Sequence, residues 1–245
     1  VLEINGVKIL YTGDYSGESD RHLLSAEIPP FEIDVMISES TYGTNEQEPR
    51  QKREKKFMDA IVEVLENKGK CLIPVFSLGR AQEFELMLEE YWTRHPKMQN
   101  YGIYFYSTTA KKCLQYFQKY TSFMNQELRK KRNQAFRFKY IKDEGTNIDS
   151  IMNGDQPCVV FASPGMLQDG TSRKLFEKWC RDKKNGVIIP GYCVEGTLAK
   201  QLLDDQTKEF KNEKGETIKP ECKVLGVSFC AHTDYRFTEE FIEIG

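Results

Sequence analysis

Three side chains that can do hydrolytic chemistry stand at the ends of strand-like segments: Asp14, Glu39 and His232. In α/β proteins, the loops that follow the strands are where ligands and reacting groups collect. A carboxylate that binds a metal ion, a second carboxylate and an imidazole are the components of a metal-assisted hydrolase. The residue types and their placement therefore indicate a candidate catalytic site.

Each of the three also has an ordinary structural explanation. Asp14 follows Gly13 and fits an Asx-turn or a helix cap. A single histidine such as His232 at a strand end is commonly a hydrogen-bonded loop residue. Glu39 is harder to explain in this way, because glutamate contributes little to turns and is costly to bury without a partner. Residue type and spacing alone leave both interpretations open.

Two loops between a strand-like and a helix-like segment offer contacts for an anion. Residues 77–80 (Ser-Leu-Gly-Arg) and 163–165 (Ser-Pro-Gly) each lead a small-residue turn towards a helix N-terminus. Ser77, Arg80 and Ser163 are therefore candidate substrate-binding residues. Neither loop is a Walker loop or a GxGxxG fingerprint, and a plain strand-to-helix turn is the more common explanation for each.

The most basic stretch, residues 128–140, interleaves aromatic rings with lysine and arginine. This pattern is typical of surfaces that stack bases and neutralise phosphates. A helix surface followed by an amphipathic strand has the same pattern, so the stretch does not by itself indicate nucleic-acid binding.

The scaffold is predicted by an alternation of strand-like and helix-like segments. Four apolar segments each precede an amphipathic one: residues 71–76 with 80–94, 103–106 with 109–120, 157–162 with 172–181, and 187–189 with 197–203. This order predicts an α/β fold with a parallel sheet flanked by helices.

Further elements are predicted from local patterns. Asn5-Gly6 between two apolar runs predicts a hairpin, residues 20–27 a short polar helix, and residues 50–68 an amphipathic helix. The apolar run 227–231 is predicted to be a buried strand. Pro74 inside a strand predicts an edge position or a bulge.

The composition limits the class of protein. With 35 Lys and Arg against 37 Asp and Glu, the net charge is -2, so no global basic field attracts nucleic acid. The seven cysteines form no CxxC pair, which fits a reducing compartment, cytosol or nucleus. No apolar run approaches the ~18–20 residues that span a membrane. Because Val1 lies within a continuing hairpin pattern, we expect a piece of a longer protein.

Several segments, in their order along the chain, resemble motifs of the β-CASP family of metallo-β-lactamase-type nucleases. They are residues 11–16 (Tyr-Thr-Gly-Asp-Tyr-Ser), 38–43 (Ser-Glu-Ser-Thr-Tyr-Gly), 73–83, 162–166, 191–197 and 228–235. The resemblance covers essentially the whole chain. Residues 20–23, 111–113 and 195–200 are most similar to the family members that cut pre-mRNA at its 3′ end, followed by Integrator-type members that process snRNA.

The resemblance implies a role for each residue of the first group. Asp14 matches the aspartate that ligates two zinc ions, Glu39 the acidic residue that supports the catalytic histidine, and His232 a histidine proposed as general acid. Two Zn²⁺ ions about 3.5–4 Å apart can activate a water and hold the scissile phosphate. An imidazolium can protonate the departing 3′ oxygen.

The resemblance thus implies a zinc-dependent RNA endonuclease that cuts pre-mRNA in the nucleus before polyadenylation. The implied partners are pre-mRNA and other subunits of the cleavage and polyadenylation complex, namely a paralogous subunit and a symplekin-like scaffold, and no membrane. The alternatives are an Integrator-type enzyme, a non-catalytic scaffold paralogue and a DNA repair nuclease of the same superfamily. Retention of Asp14, Glu39 and His232 argues against the scaffold, and the detailed matches argue against the DNA nuclease.

The sequence also departs from the family pattern. The HxHxDH motif expected before Asp14 and the further metal-binding histidines are not present. We therefore expect residues 1–43 to be strands of a metallo-β-lactamase domain, residues 44–226 the β-CASP domain, and residues 227–245 a return into the first domain. Two Zn²⁺ are expected in the full-length protein, whereas this chain alone is expected to hold none and to be inactive.

Overall fold

The chain opens with a small three-stranded sheet in the computed structural model, which describes residues 1–107, 109–131, 134–143 and 148–244. Strands β1 (Leu2–Ile4) and β2 (Val7–Tyr11) form the predicted antiparallel hairpin, whose turn residues Asn5 and Gly6 have φ of 50° and 84°. Strand β3 (Val35–Ile37) pairs with β2 in parallel. The three strands are largely exposed, so this sheet contributes chiefly the two loops that follow β2 and β3.

The rest of the described chain alternates helices and strands. In order these are α1 (Arg50–Glu66), β4 (Lys70–Pro74), α2 (Arg80–Arg94), β5 (Gly102–Tyr106), α3 (Ala110–Lys119), α4 (Gln126–Lys131), β6 (Ile141–Asp143), α5 (Asp149–Asn153), β7 (Cys158–Ala162), α6 (Gly170–Trp179), β8 (Gly186–Ile189), α7 (Leu198–Asp204), β9 (Phe210–Lys211), β10 (Thr217–Ile218), β11 (Lys223–Gly226) and α8 (Tyr235–Ile244). Two 3₁₀ turns lie at Pro96–Asn100 and Thr121–Phe123. In the described residues, no helix is long and apolar enough to cross a membrane.

Six of these strands form one parallel sheet in the order β11-β8-β4-β7-β5-β6. Side chains alternate between its faces. One face packs with α1 and α2, through residues such as Phe57 and Phe84, and the other with α6 and α7, through residues such as Phe176 and Leu202. The predicted α/β fold, a parallel sheet flanked by helices, is confirmed.

The predicted edge position of Pro74 is wrong. Strand β4 is internal, between β8 and β7. Val75 donates its N–H to Ala162 of β7, so by strand alternation the missing N–H of Pro74 faces β8. Strand β8 pairs with β4 only at Cys71 and Leu72, and the proline therefore costs no ladder hydrogen bond.

The predicted buried strand at residues 227–231 is also wrong. Strand β11 ends at Gly226, and the chain then continues beyond the edge of the sheet. Val227 and Phe229 are nonetheless buried. The Phe229 ring packs edge-on against Phe57 and Phe84, with centroids 5.3 and 5.0 Å away. Val227 still donates its N–H to Ile189 of β8 at 3.1 Å, but the chain pairs no further, and burial that alternates from Val227 to Phe229 explains why the apolar pattern predicted a strand.

Residues 20–27 do not form the predicted helix, because three consecutive side chains take part in a partly buried ion cluster. His22 Nδ1 lies 3.0 Å from Asp20 and 3.1 Å from Glu83 of α2. Arg21 contacts Glu54, at 2.6 Å, as well as Glu83. Glu83 also pairs with Arg50 and is only 2% exposed. We name Asp20, Arg21, His22, Arg50, Glu54 and Glu83 the ion cluster.

The ion cluster predicts a pH-dependent stability. Burial alone would lower the pKa of His22, but its hydrogen bonds and attraction to Asp20 and Glu83 outweigh burial and raise the pKa from 6.5 to about 9. Because the folded-state pKa exceeds the unfolded value, this stabilisation is complete below pH 6.5 and is lost as pH rises through 9. We expect the free energy of unfolding to fall over this window, with a slope of up to about 1.4 kcal/mol per pH unit. Urea unfolding at stepped pH measures the fall.

A His22→Gln variant is expected to show a flatter pH profile over the same window. The matched control is His95→Gln, since His95 is exposed and stacks on Tyr91 outside the ion cluster. An equal fall in the parent protein and the His22 variant would show that His22 does not carry the dependence.

Candidate functional site

The loops after β2 and β3 meet the segment after β11, and this meeting brings the three candidate residues together. Donor atoms of Asp14, Glu39 and His232 all lie within 4.8 Å of one another. His232 Nδ1 is 2.5 Å from Glu39 Oε2. The glutamate side chain is 7% exposed and the imidazole 28%. Glu39 is therefore held inside while the imidazole reaches solvent.

Hydrogen bonds fix Glu39 in the form of a carboxylate. Burial alone would raise its pKa, but the Tyr15 backbone N–H, the Thr41 hydroxyl and His232 together lower it below the usual value. The Tyr15 N–H donates to Oε1 at 3.0 Å, which leaves Oε2 for the imidazole. A carboxylate on Nδ1 orients the ring and favours a proton on that nitrogen. Nε2 is therefore the ring nitrogen that remains for contact with a substrate.

The backbone of His232 is anchored from two sides. Gln47 Nε2 donates to the His232 carbonyl at 2.8 Å, and the Thr233 N–H donates to the Tyr15 carbonyl at 3.0 Å. Asp234 then accepts the Phe237 N–H at 3.1 Å, as a cap on the start of α8. The imidazole is thus positioned by a helix start and by the β2 loop together.

Asp14 is exposed, and among the described residues its side chain has no hydrogen-bond partner. Glu39 and His232 Nδ1 are already committed to each other. The donor set thus fits a partial metal site: Asp14 can ligate an ion, whereas a zinc site needs at least three protein ligands. A metal ion at this position would need further ligands besides the Asp14 carboxylate before it could support catalysis.

Tyr42 adds a polar group to this site that the sequence interpretation did not assign. Its ring centroid is 6.4 Å from that of His232. Burial, with smaller effects from Cys230, raises the Tyr42 pKa to about 12. The phenol therefore stays protonated at neutral pH and remains a hydrogen-bond donor.

The candidate substrate-binding serines lie together at the carboxyl edge of the main sheet. Ser77 Oγ is 2.9 Å from Ser163 Oγ and 2.6 Å from Ser107 Oγ. These residues follow β4, β7 and β5, which are neighbours in the sheet. We name Ser77, Ser107 and Ser163 the hydroxyl cluster. Ser107 was missed, because strand order decides which loops meet and the sequence does not reveal that order.

Arg80 is placed differently from the serines. It is the first residue of α2, and its guanidinium is 3.2 Å from Asp20 of the ion cluster. It nevertheless lines a groove that it shares with His232, Phe76 and Tyr192. Phe76 and Tyr192 are 57% and 66% exposed. The groove therefore joins the candidate catalytic residue to two of the loops expected to bind substrate.

Comparison with known proteins gives a family match and close relatives. Residues 81–202 match the family model described as the Beta-Casp domain. The chain is 49% identical to cleavage and polyadenylation specificity factor subunit 3 of Dictyostelium discoideum, over 99% of this chain and 31% of that protein. It is 48% identical to cleavage and polyadenylation specificity factor 73 of Drosophila melanogaster, over 100% of this chain and 36% of that protein.

A fungal relative carries an activity in its name. The chain is 47% identical to endoribonuclease YSH1 of Yarrowia lipolytica, over 99% of this chain and 30% of that protein. The chain thus spans about a third of the length of these curated relatives.

Proposed function

This chain belongs to the Beta-Casp family, and on that premise we propose that the protein containing it is a metal-dependent endoribonuclease that cuts pre-mRNA before polyadenylation. The observation that carries the proposal is the 2.5 Å contact between His232 and Glu39, with Asp14 beside it. The names of the relatives support the RNA-cleavage and polyadenylation parts of the proposal.

We assign roles from the contacts of these side chains. His232 donates a proton from Nε2 to the departing 3′ oxygen, because Nδ1 is occupied by Glu39. Glu39 orients the ring through its contact with Nδ1. Asp14, with its free carboxylate, serves as a metal ligand together with other ligands. A resident pair of Zn²⁺ ions would polarise the phosphate and lower the pKa of a water.

The hydroxyl cluster and Arg80 are proposed to contact the RNA backbone. Ser77 and Ser163 present hydroxyl groups at the edge of the sheet, where ligands of α/β proteins bind. Hydroxyl groups contact phosphate oxygens without reading the base. Arg80 can contribute positive charge only by sharing its guanidinium with Asp20, so its effect on binding is expected to be smaller than that of a free arginine.

We propose that the protein assembles with other subunits of a cleavage and polyadenylation factor, because a relative is named as a subunit of such a factor. We also propose that it acts in the nucleus. A paralogous subunit and a symplekin-like scaffold are the proposed neighbours. We also propose that residues 1–43 and 227–245 belong to a metallo-β-lactamase domain and residues 44–226 to the β-CASP domain. The match at residues 81–202 lies inside the latter range.

The test is cleavage of a radiolabelled pre-mRNA that carries a polyadenylation site. The full-length protein, assembled with its partner subunits, is expected to cut this RNA, and metal chelation should abolish the cut. The 245-residue chain alone is expected to bind zinc weakly and not to cut, because among the described residues of the Asp14, Glu39 and His232 site only Asp14 offers an uncommitted carboxylate. Robust metal-dependent cutting by the pure chain would contradict this ligand assignment, and an assembled protein that cuts no RNA would contradict the function.

A further inference from the structure

Helix α3 and the 3₁₀ turn after it leave three aromatic rings in solvent. Tyr116, Tyr120 and Phe123 are 60%, 49% and 76% exposed. Their spacing of four and three residues places them on one side, and the Tyr120 and Phe123 centroids are 6.1 Å apart. The other side of α3 packs Phe117 against Phe136, with centroids 5.2 Å apart. The exposed rings are therefore not part of the core.

Lysines lie among these rings. Lys112 and Lys119 are exposed, and Lys119 Nζ is 5.8 Å from the centroid of the Tyr120 ring. Residues 109–131 contain six Lys or Arg and one acidic residue, Glu127, although the whole chain carries a net charge of -2. We name Lys112, Tyr116, Lys119, Tyr120 and Phe123 the aromatic–lysine stripe. The stripe is therefore a local region of positive charge on a chain whose net charge is slightly negative.

The stripe begins at the edge that carries the hydroxyl cluster. Helix α3 starts at Ala110, three residues after Ser107. A helix of ten residues extends about 15 Å at 1.5 Å per residue. The rings and cations thus continue from the carboxyl edge of the sheet along a path outside the His232 groove.

We propose that the aromatic–lysine stripe binds single-stranded RNA outside the cleavage site, an inference that rests on the proposed function. Exposed rings stack on nucleobases of any sequence, and lysines neutralise the phosphates between them. The excess of positive charge, with one acidic residue in the segment, complements a polyanion. A protein partner that docks on the rings is the competing occupant.

The experiment measures RNA affinity in the full-length protein. A His232→Ala background slows cleavage during the measurement. The probe is a fluorescein-labelled 20-nucleotide polyuridine, read by fluorescence anisotropy at several salt concentrations. One variant combines Tyr116→Ala, Tyr120→Ala and Phe123→Ala, and another combines Lys112→Gln and Lys119→Gln. The charge-matched control combines Lys183→Gln and Lys184→Gln, two exposed lysines just before β8 at the opposite edge of the sheet.

The variant without the three rings and the variant without the two lysines are expected to weaken RNA binding in different ways. Loss of the three rings should raise Kd at least tenfold with little change in salt dependence. Loss of the two lysines should reduce the slope of log K against log salt by about 1.4, at about 0.7 per single-strand phosphate contact. The control should match the parent. An abasic 20-mer should bind the protein with the intact stripe as weakly as polyuridine binds the variant that lacks the three rings. This comparison does not depend on whether a variant folds.

Parent-like affinity and salt slope in both variants, or equal binding of abasic and normal RNA, would overturn the proposal. Unchanged RNA binding with loss of a co-purifying subunit would assign the stripe to a protein partner instead. The proposed function is judged separately, by cleavage in the protein that retains His232. A protein that binds RNA through the stripe but never cuts would fail the function and keep the binding surface.

Discussion

Replacing His232 with alanine in the full-length protein is expected to lower RNA cleavage by about 10²–10⁴-fold while bound metal is unchanged. A decrease in rate of this size is typical of the loss of a general acid, because the departing 3′ oxygen would have to leave without a proton from Nε2. Metal should persist, since Nδ1 is occupied by Glu39 and Asp14 remains in place. Single-turnover cleavage gives the rate, and elemental analysis gives the metal content.

The matched control is His95→Ala. His95 is exposed and its ring stacks on Tyr91 at a centroid distance of 3.8 Å, outside the site, so its loss should leave cleavage unchanged. If His232→Ala lost metal and activity together, His232 would be a ligand. If it retained full activity, proton donation would belong to another group, and the protonated Tyr42 beside the ring would be the next candidate.

The approach of Asp14, Glu39 and His232 was predictable only in part. Asp14 and Glu39 follow β2 and β3, and two parallel strands that pair end at the same edge, so their loops must be neighbours. His232 follows a strand of a different sheet. Its approach depends on Gln47, Thr233 and α8, which are long-range contacts that no local pattern reveals. The family resemblance supplied what spacing did not.

The main sheet was predictable because its segments have unambiguous periodicities, whereas the errors come from segments that imitate them. Residues 227–229 alternate in burial beyond the last strand, and residues 20–27 have the polar composition of a helix surface. Ser107 and Tyr42 were missed because their roles come from which loops become neighbours in the folded sheet. Of the basic stretch 128–140, Arg132 and Asn133 lie outside the described residues, so the structure does not test that stretch as a whole.

The ion cluster has a consequence for the site, because it holds the segment after Asp14 against α2. Glu83 accepts the Arg21 backbone N–H at 2.9 Å as well as contacts from the Arg21, His22 and Arg50 side chains. Arg80, on the same helix, pairs with Asp20 of the same cluster. The position of the loop between β2 and β3 is therefore tied to the start of α2.

Replacing Glu83 with alanine is accordingly expected to lower the free energy of unfolding by about 3–5 kcal/mol, the cost of breaking a buried ion pair from one side. The change leaves the buried His22 and the partly buried Arg21 and Arg50 with too few carboxylates, and a buried charge without a partner is costly. Urea unfolding of the full-length protein measures the loss. The control is Glu90→Ala: Glu90 also contacts Arg21, at 3.1 Å, but its side chain is 41% exposed, so the expected cost is below about 1 kcal/mol. Equal losses in the two variants would mean that burial does not set the strength of these pairs. A large loss at Glu83 alone would identify it as the residue that holds the loop carrying Asp14 to the body of the fold.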